Sequence, residues 1–277
     1  MIVIPIIIIS FIQGFTEFLP ISSQGHNIFV AKLIDYNEME YRRMNVIAHF
    51  GSLVAIVIYN YRLLIRLFLS IKNFFRTDLD SYAQLLRNLI ISSIPLMFFG
   101  YIISNYMNQT HLESLKLIGF SSIIFGVLLY IADTNCLTIK SISTLNNKNA
   151  FTIGLFQAFA IIPGSSRSGM TIMGLRVLGF NRFDAASYSN ILSIPAITGA
   201  VIFYFSDQDQ IILQTQYFFN LESLFLFFFC FIFSFCFIHF LLTWVKKNTF
   251  SIFIYYRILF GIVLLYFGYN FNETYLM

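Results

Sequence analysis

The fold of this chain turns on residues 2–34, IVIPIIIISFIQGFTEFLPISSQGHNIFVAKLI. The stretch is apolar at both ends, yet Gln13-Gly14, Pro20, Ser22-Ser23 and Gly25 interrupt its middle. A helix needs about 20 apolar residues to cross hydrocarbon, and neither half reaches that length. Residues 151–178, FTIGLFQAFAIIPGSSRSGMTIMGLRVL, repeat the design, broken by Pro163-Gly164, a serine cluster and Gly169. Non-helical backbone survives at membrane depth only where it is buried in protein or lines a polar cavity. Both stretches are therefore expected to form re-entrant helix-turn-helix hairpins that return to the side they entered from.

Working outward, six further segments have the length and apolar character of full spans. They are Met44–Tyr61, Leu85–Ser104, Leu115–Ala132, Ala186–Phe205, Leu221–Val245 and Ile252–Tyr269. Hydrophobic residues make up 58% of 277, charged residues 11%, and mean hydropathy is +0.76; a soluble domain would carry about a quarter charged residues. The expected class is an all-α integral membrane protein. The net charge of +4 is dispersed, which excludes a nucleic-acid surface. Cys136, Cys230 and Cys236 lack metal-ligand spacing and read as inert buried thiols. Met1 to Ser10 has no basic flank and is not read as a cleaved signal peptide.

If each hairpin returns to its own side, one side of the membrane collects Arg62, Arg66, Lys72, Arg76, Lys140, Lys148, Arg176, Arg182, Lys246 and Lys247. The other collects Lys32, Arg42, Arg43 and Lys116 together with Asp35, Glu38, Glu40, Glu113, Asp207, Asp209, Glu222 and Glu273. The positive-inside rule makes the first side cytoplasmic. Both termini and the first hairpin then face outward, and the second hairpin enters from the cytoplasm.

Opposite entry is what an inverted repeat requires, and the sequence contains one. Phe11-Ile12-Gln13-Gly14-Phe15 resembles Leu155-Phe156-Gln157-Ala158-Phe159, and Pro20-Ile21-Ser22-Ser23-Gln24-Gly25 resembles Pro163-Gly164-Ser165-Ser166-Arg167-Ser168-Gly169. The chain reads as one membrane domain, 1–277. Its first repeat is 1–132, with a hairpin at about 2–34, and its second is 150–277, with a hairpin at 151–178. Such folds hold their site near the repeat interface.

The residues with chemistry lie in those hairpins. An ionised Glu17 in an apolar segment is costly, so it faces a polar cavity, a cation or a partner, unless it only satisfies helix ends. Gln13, four residues earlier, shares its helical face, and the two could hold a divalent cation or orient a water. Ser22, Ser23 and His26 follow Pro20. Ser23 and His26, three apart, form a nucleophile–base arrangement if the turn is helix-like; otherwise the serines cap the returning helix. In Pro163–Thr171, Gly164 allows close approach. The hydroxyls of Ser165, Ser166, Ser168 and Thr171 and the free N–H groups at a helix start suit an anion, and Arg167 adds a fork that fits phosphate oxygens. The competing reading of Arg167 is a structural pair with Glu17. His49 can line the same cavity, whereas His239 and Arg257 read as interhelical or interfacial contacts, and Arg87 can snorkel.

With those residues in view, Gln13 through His26 resembles the first signature of the bacterial undecaprenyl-diphosphate phosphatases, the bacitracin-resistance family. That signature opens with Glu or Gln, then three residues, then Glu. The family's second signature, Pro-Gly-x-Ser-Arg-Ser-x-x-Thr, is matched by Pro163, Gly164, Ser166, Arg167, Ser168 and Thr171. The resemblance implies six spans plus two re-entrant hairpins in inverted topology. It implies hydrolysis of undecaprenyl diphosphate to undecaprenyl phosphate and inorganic phosphate with a divalent cation, Mg²⁺ or Ca²⁺, in the bacterial cytoplasmic (inner) membrane. That step recycles the lipid carrier for peptidoglycan and other cell-wall polymers, and bacitracin resistance follows because the drug captures the diphosphate form. It makes Glu17, Ser23, His26 and Arg167 catalytic. Gln13, Ser22, Gly164, Ser165, Ser166, Ser168 and Thr171 then bind substrate, and Glu17 with Gln13 holds the metal. Two departures stand out: Gln13 is the neutral option of its motif, and His49 occupies a place where glutamine is expected.

The expected partners are a polyprenyl diphosphate lipid and the bilayer, without nucleic acid, and a homodimer is compatible with the sequence. The expected mechanism has the diphosphate enter from the outer (periplasmic) side onto Arg167 and the serine-rich turn, with Ser23 attacking and His26 shuttling the proton. Attack by His26 or by water stays open. The rival class is a polyprenyl-phosphate flippase using the same residues, since inverted repeats with broken helices are common in transporters. Flipping needs no nucleophile, so Ser23→Ala separates the two. A channel fits poorly, because single charges on two hairpins do not make a selectivity ring.

Overall fold

The computed structural model describes residues 3–34, 38–74, 80–106, 114–206 and 220–270. Among them the chain is all-helical, with one isolated bridge between Lys140 and Phe180. The helices are α1 (Val3–Thr16), α2 (Ser23–Leu33), α3 (Glu38–Tyr59), α4 (Tyr61–Ser70), α5 (Ser81–Tyr106) and α6 (Leu115–Asn135). They continue as α7 (Asn147–Ala158), α8 (Arg167–Val177), α9 (Arg182–Ser206), α10 (Leu221–Trp244) and α11 (Ser251–Asn270).

Five of these, α5, α6, α9, α10 and α11, have the length and hydropathy to cross a membrane, and they coincide with five of the six expected spans. The remaining expectation, Met44–Tyr61, changes form. Helix α3 stops at Tyr59, and α4 leaves at 77° after Asn60, so the pair counts as a sixth crossing only when taken as one bent unit. The sequence of α4 explains the bend. Arg62 and Arg66 sit one turn apart on one face, while Ile65, Phe68 and Leu69 are exposed apolar side chains. That pattern suits a helix lying along an interface better than one threading it.

The two interrupted stretches become helix pairs, α1 with α2 and α7 with α8, each packed on its own partner. At 1.5 Å per residue the 14 residues of α1 and the 12 of α7 reach only about 21 and 18 Å. Helix α8 lies in the centre, packed on α6, α7 and α9, and every residue from Ser168 to Arg176 is buried. Around it sits the main apolar core, with Met170, Ile172, Leu175, Tyr188, Leu192 and Leu241 at its heart. Outward-facing Phe98, Phe228, Leu259 and Tyr266 are more than half exposed, as residues facing lipid tails would be.

The two halves pack alike. Helix α1 lies on α10 as α7 lies on α5, α3 contacts α10 as α9 contacts α5, and α3–α9 and α6–α11 close the set. Small residues allow the close crossings. A Cβ on Gly14 would stand 2.8 Å from the Ser234 backbone, and one on Gly154 would stand 2.7 Å from the Ser92 carbonyl.

One expected surface charge is internal. Arg176 is fully buried and donates from Nε to Asp133 Oδ1 at 3.0 Å, where Arg182 Nε also donates at 2.8 Å. The Phe250 N–H takes Asp133 Oδ2 at 3.2 Å. Burial forces this pairing, since an unpartnered guanidinium there would be costly, so Arg176 does not count among free cytoplasmic charges. The cysteines are free: Cys230 is buried as expected, but Cys236 is exposed on α10 and Cys136 is half-buried. His239 does meet the expected interhelical partner, lying 3.2 Å from the Tyr59 hydroxyl.

Candidate functional site: the junction of two broken helix pairs

Each pair breaks in the same way. In the first, Ser22 has φ 71° and caps α2, its Oγ accepting the Gly25 N–H. In the second, Ser166 has φ 69° and caps α8, its Oγ accepting the Gly169 N–H. A left-handed φ is unusual for a residue with a side chain, and its occurrence at matching positions marks both turns as built to one plan. A further bond repeats as well. Asn27 Nδ2 donates to Gln13 Oε1 at 2.6 Å, and Thr171 Oγ1 donates to Gln157 Oε1 at 3.3 Å.

The second turn is clamped from behind. Gly164 has φ +88°, and a Cβ there would collide with Ser121 and stand 2.5 Å from the Ile118 carbonyl. Ser121 donates to the Pro163 carbonyl. Arg257, fully buried in α11, donates from Nη2 to the carbonyls of Gly164 and Ser165 at 2.7 and 2.5 Å. The side-chain Nε and Nη1 of Arg257 find no partner. Sequence reading expected a generic interhelical contact for Arg257. The signal that could have promoted it was an arginine in the middle of an apolar span, which is expensive without a dedicated acceptor.

The two turns meet at Glu17. Arg167 Nη2 lies 3.2 Å from Glu17 Oε1, and Ser168 Oγ donates to the Leu19 carbonyl at 2.7 Å. Ser23 Oγ donates to Glu17 Oε2 at 2.7 Å, Gln13 Nε2 donates to the same oxygen at 3.1 Å, and His49 Nε2 lies 3.4 Å from it. One carboxylate therefore gathers four neighbours from α1, α2, α3 and α8. Its own side chain is 5% exposed, against 14% for Arg167 and 22% for His49. With the half-buried Ser23, these two form the open side of the cluster.

The structure brings Glu17, Ser23, Gln13 and Arg167 together and adds His49, whose Nδ1 faces the Asn45 carbonyl at 2.7 Å. It does not join Ser23 to His26. Because Ser22 caps α2, Ser23 becomes its first residue and turns to Glu17, while His26 points toward α11. There His26 Nδ1 takes the Ser22 carbonyl at 2.8 Å, Nε2 the Tyr256 hydroxyl at 2.9 Å, and the ring stacks on Phe260 at 3.7 Å. A carbonyl only accepts, so Nδ1 carries a proton and a neutral His26 accepts from Tyr256. Ser165, Ser166, Ser168 and Thr171 are all buried. The hydroxyls of Ser166 and Ser168 pair with each other at 3.1 Å, and that of Thr171 also reaches the Arg167 carbonyl at 3.0 Å.

A resident divalent cation fits this donor set poorly. Such ions take about six oxygen ligands, several of them anionic. Among the described residues Glu17 is the only carboxylate of the cluster, its neighbours approach as donors, and the oxygen of Gln13 is already taken by Asn27. Among the described residues no three His, Cys, Asp or Glu side chains converge as a metal cluster.

The chain is similar to known proteins along nearly its whole length. The family described as bacitracin resistance protein BacA matches residues 6–263. The chain is 38% identical to the undecaprenyl-diphosphatase of Pelagibacter ubique over 97% of its own length and 98% of that protein. It is 34% identical to the undecaprenyl-diphosphatase of Desulforudis audaxviator, covering 94% and 95% of the two chains. The undecaprenyl-diphosphatase of Saccharophagus degradans is 32% identical, with 92% and 94% covered.

Proposed function

The chain belongs to the bacitracin resistance protein family, and on that premise we propose that it is a multi-pass membrane phosphatase that hydrolyses undecaprenyl diphosphate to undecaprenyl phosphate and inorganic phosphate. The observation that carries this reading is the meeting of a serine hydroxyl and an arginine fork on one buried carboxylate, Glu17. A base, a nucleophile and a phosphate-binding cation are the parts that phosphoryl transfer needs.

In this mechanism the diphosphate reaches the open side of the cluster, and Arg167 turns its fork from Glu17 onto phosphate oxygens. Ser23 Oγ attacks the terminal phosphorus and its proton passes to Glu17 Oε2, 2.7 Å away. The bond from that phosphorus to the bridging oxygen breaks, and undecaprenyl phosphate leaves. Water then cleaves the phosphoserine, releasing inorganic phosphate and restoring the hydroxyl. Glu17 takes the base role because His26, engaged with Ser22 and Tyr256, has no contact with Ser23. His26 instead steadies the turn that presents Ser23. Mg²⁺ or Ca²⁺ would neutralise charge on the diphosphate, and the residues around Glu17 would not hold it as a resident ion.

The helix pairs α1–α2 and α7–α8 act as re-entrant hairpins of an inverted repeat, 1–132 and 150–277, within one membrane domain. The paired φ values at Ser22 and Ser166 and the matched helix packing support this. The distribution of arginine and lysine supports an inner-membrane orientation with the site open to the periplasmic side, where the product returns to the carrier cycle of cell-wall synthesis and deprives bacitracin of its target.

The test is phosphate release from undecaprenyl diphosphate by the purified protein in detergent with Mg²⁺, comparing wild type, Glu17→Gln and Ser23→Ala. Release that falls about 10³-fold or more in both variants, as for loss of a triad member, is the expected result. A folded wild type that releases no phosphate, or a Ser23→Ala variant with full activity, would overturn the reading.

A further inference from the structure

At the far end of the bundle from the hairpin turns, the loop between α10 and α11 and the start of α9 border an open cavity of about 680 Å³. Its walls include Arg182, Lys246, Lys247, Asn181, Thr249 and Trp244, and none of its lining residues is acidic. The neighbouring carboxylates are already engaged by other donors. Asp133 is buried and holds Arg176, Arg182 and the Phe250 N–H, and Asp184 is occupied by the Ile142 N–H and the Asn181 amide.

We propose that this cavity binds the phosphate of an anionic membrane phospholipid, at a site separate from the hydrolytic one. Three cationic side chains with no acid in the wall select a phosphate monoanion. Arg182 is held in place by Asp133 at 2.8 Å, and the ammonium of Lys246 sits 5.2 Å from the Phe183 ring centre, so two of the three cations are anchored rather than free. The apolar side of the cavity fits the rest of a lipid. Trp244 is half-buried and packs on Phe240 and Phe253, and Ile252 is exposed beside it. Tryptophan prefers the level of lipid headgroups, and basic pockets between spanning helices recur as headgroup sites. Helix α10 ends at Trp244 and α11 begins at Ser251, so a headgroup in the cavity lies where both helices leave the hydrocarbon.

The site also touches the frame of the hydrolytic cluster. Asp133 ties Arg182, at the cavity wall, to Arg176 on α8, the helix whose first residue is Arg167. Helix α11 runs from the cavity to Arg257, which holds the Gly164–Ser165 turn.

The chain has a single tryptophan, and it lines this cavity, so its fluorescence reports on the occupant directly. The protein is reconstituted into phosphatidylcholine vesicles in which the brominated, quenching lipid is either phosphatidylglycerol or phosphatidylcholine at equal mole fraction. The expected result is a preference of about tenfold for the brominated phosphatidylglycerol at Trp244, as a few basic residues near a headgroup would provide. The preference falls toward unity in Lys246→Gln/Lys247→Gln, whose side chains are exposed and whose removal leaves the core untouched. Millimolar inorganic phosphate leaves the preference in place. Equal quenching by the two lipids, or an excess that survives the double substitution, would overturn the proposal. Loss of the excess on adding inorganic phosphate would overturn the lipid and assign the cavity to a free anion. None of these readouts uses hydrolysis, so the proposal stands or falls independently of the phosphatase reading.

Discussion

Replacing Arg257 with methionine separates the stability of the fold from the geometry of its Gly164–Ser165 turn. Arg257 gives the Gly164 and Ser165 carbonyls two bonds from a charged donor, each worth about 1.5–3 kcal/mol. Against that loss stands the cost of burying a guanidinium that is 0% exposed and whose Nε and Nη1 have no acceptor, several kcal/mol that methionine avoids. The two terms oppose each other, so thermal unfolding in detergent is expected to shift by only a few degrees. The turn fares worse. Its carbonyls lose their donors two and three residues before Arg167, and a displacement of about 1 Å in a positioning group costs on the order of 10²-fold in rate. Arg257→Lys, which keeps the charge but reaches one carbonyl at a time, should fall between wild type and Arg257→Met. The assay is phosphate release from undecaprenyl diphosphate beside a melting curve for each variant. A folded Arg257→Met protein with wild-type turnover would refute the claim that this arginine holds the turn.

Other expectations follow from the same contacts. Gly164→Ala combines a left-handed φ with a Cβ 2.5 Å from the Ile118 carbonyl, so activity should be lost, with a lowered melting temperature; an active, equally stable variant would mean the turn is not held against α6. Asp133→Asn leaves the buried Arg176 and the partly exposed Arg182 sharing a neutral acceptor and should destabilise by about 3–5 kcal/mol, read as a melting temperature well below that of wild type while Mg²⁺ dependence is unchanged. His49→Leu removes a neighbour of the Glu17 carboxylate at 3.4 Å and should lower kcat about tenfold, whereas His49→Gln, able to donate through its amide, should stay close to wild type; equal effects would make His49 mere lining. Mn²⁺ titrated into substrate-free protein should show no bound signal in electron paramagnetic resonance, and a tightly bound signal should emerge only with a non-hydrolysable diphosphate lipid. Stoichiometric binding without the diphosphate would establish a resident site.

Much of this arrangement could be read from residue types whose cost in a membrane forces a purpose. Glu17 and Arg167 each interrupt apolar sequence, and each pays for itself only by finding a partner, which they do in one another. The breaks at Pro20–Gly25 and Pro163–Gly169 were legible because glycine, proline and serine cluster there and leave each half too short to span. The contacts that escaped depend on direction rather than type. Ser23 and His26 have the spacing of neighbours, but the cap at Ser22 fixes where α2 begins and sends their side chains to different helices. The bend at Asn60 has no proline or glycine to announce it, and only the pairing of Arg62 with Arg66 hints that α4 leaves the apolar layer. Arg176 looked like one more cytoplasmic charge because its acceptor, Asp133, is 43 residues away in sequence.

The ion pair at the centre also bears on how the protein is made. Glu17 and Arg167 are separated by 150 residues, and a ribosome adds about 5–20 residues per second. Glu17 is therefore threaded into the membrane roughly 8–30 s before its arginine exists. During that interval the carboxyl has no arginine to offset the cost of its burial. The cluster around Glu17 is therefore half-formed until the second broken helix pair has been made, and its ion pair closes only when the two halves of the bundle meet.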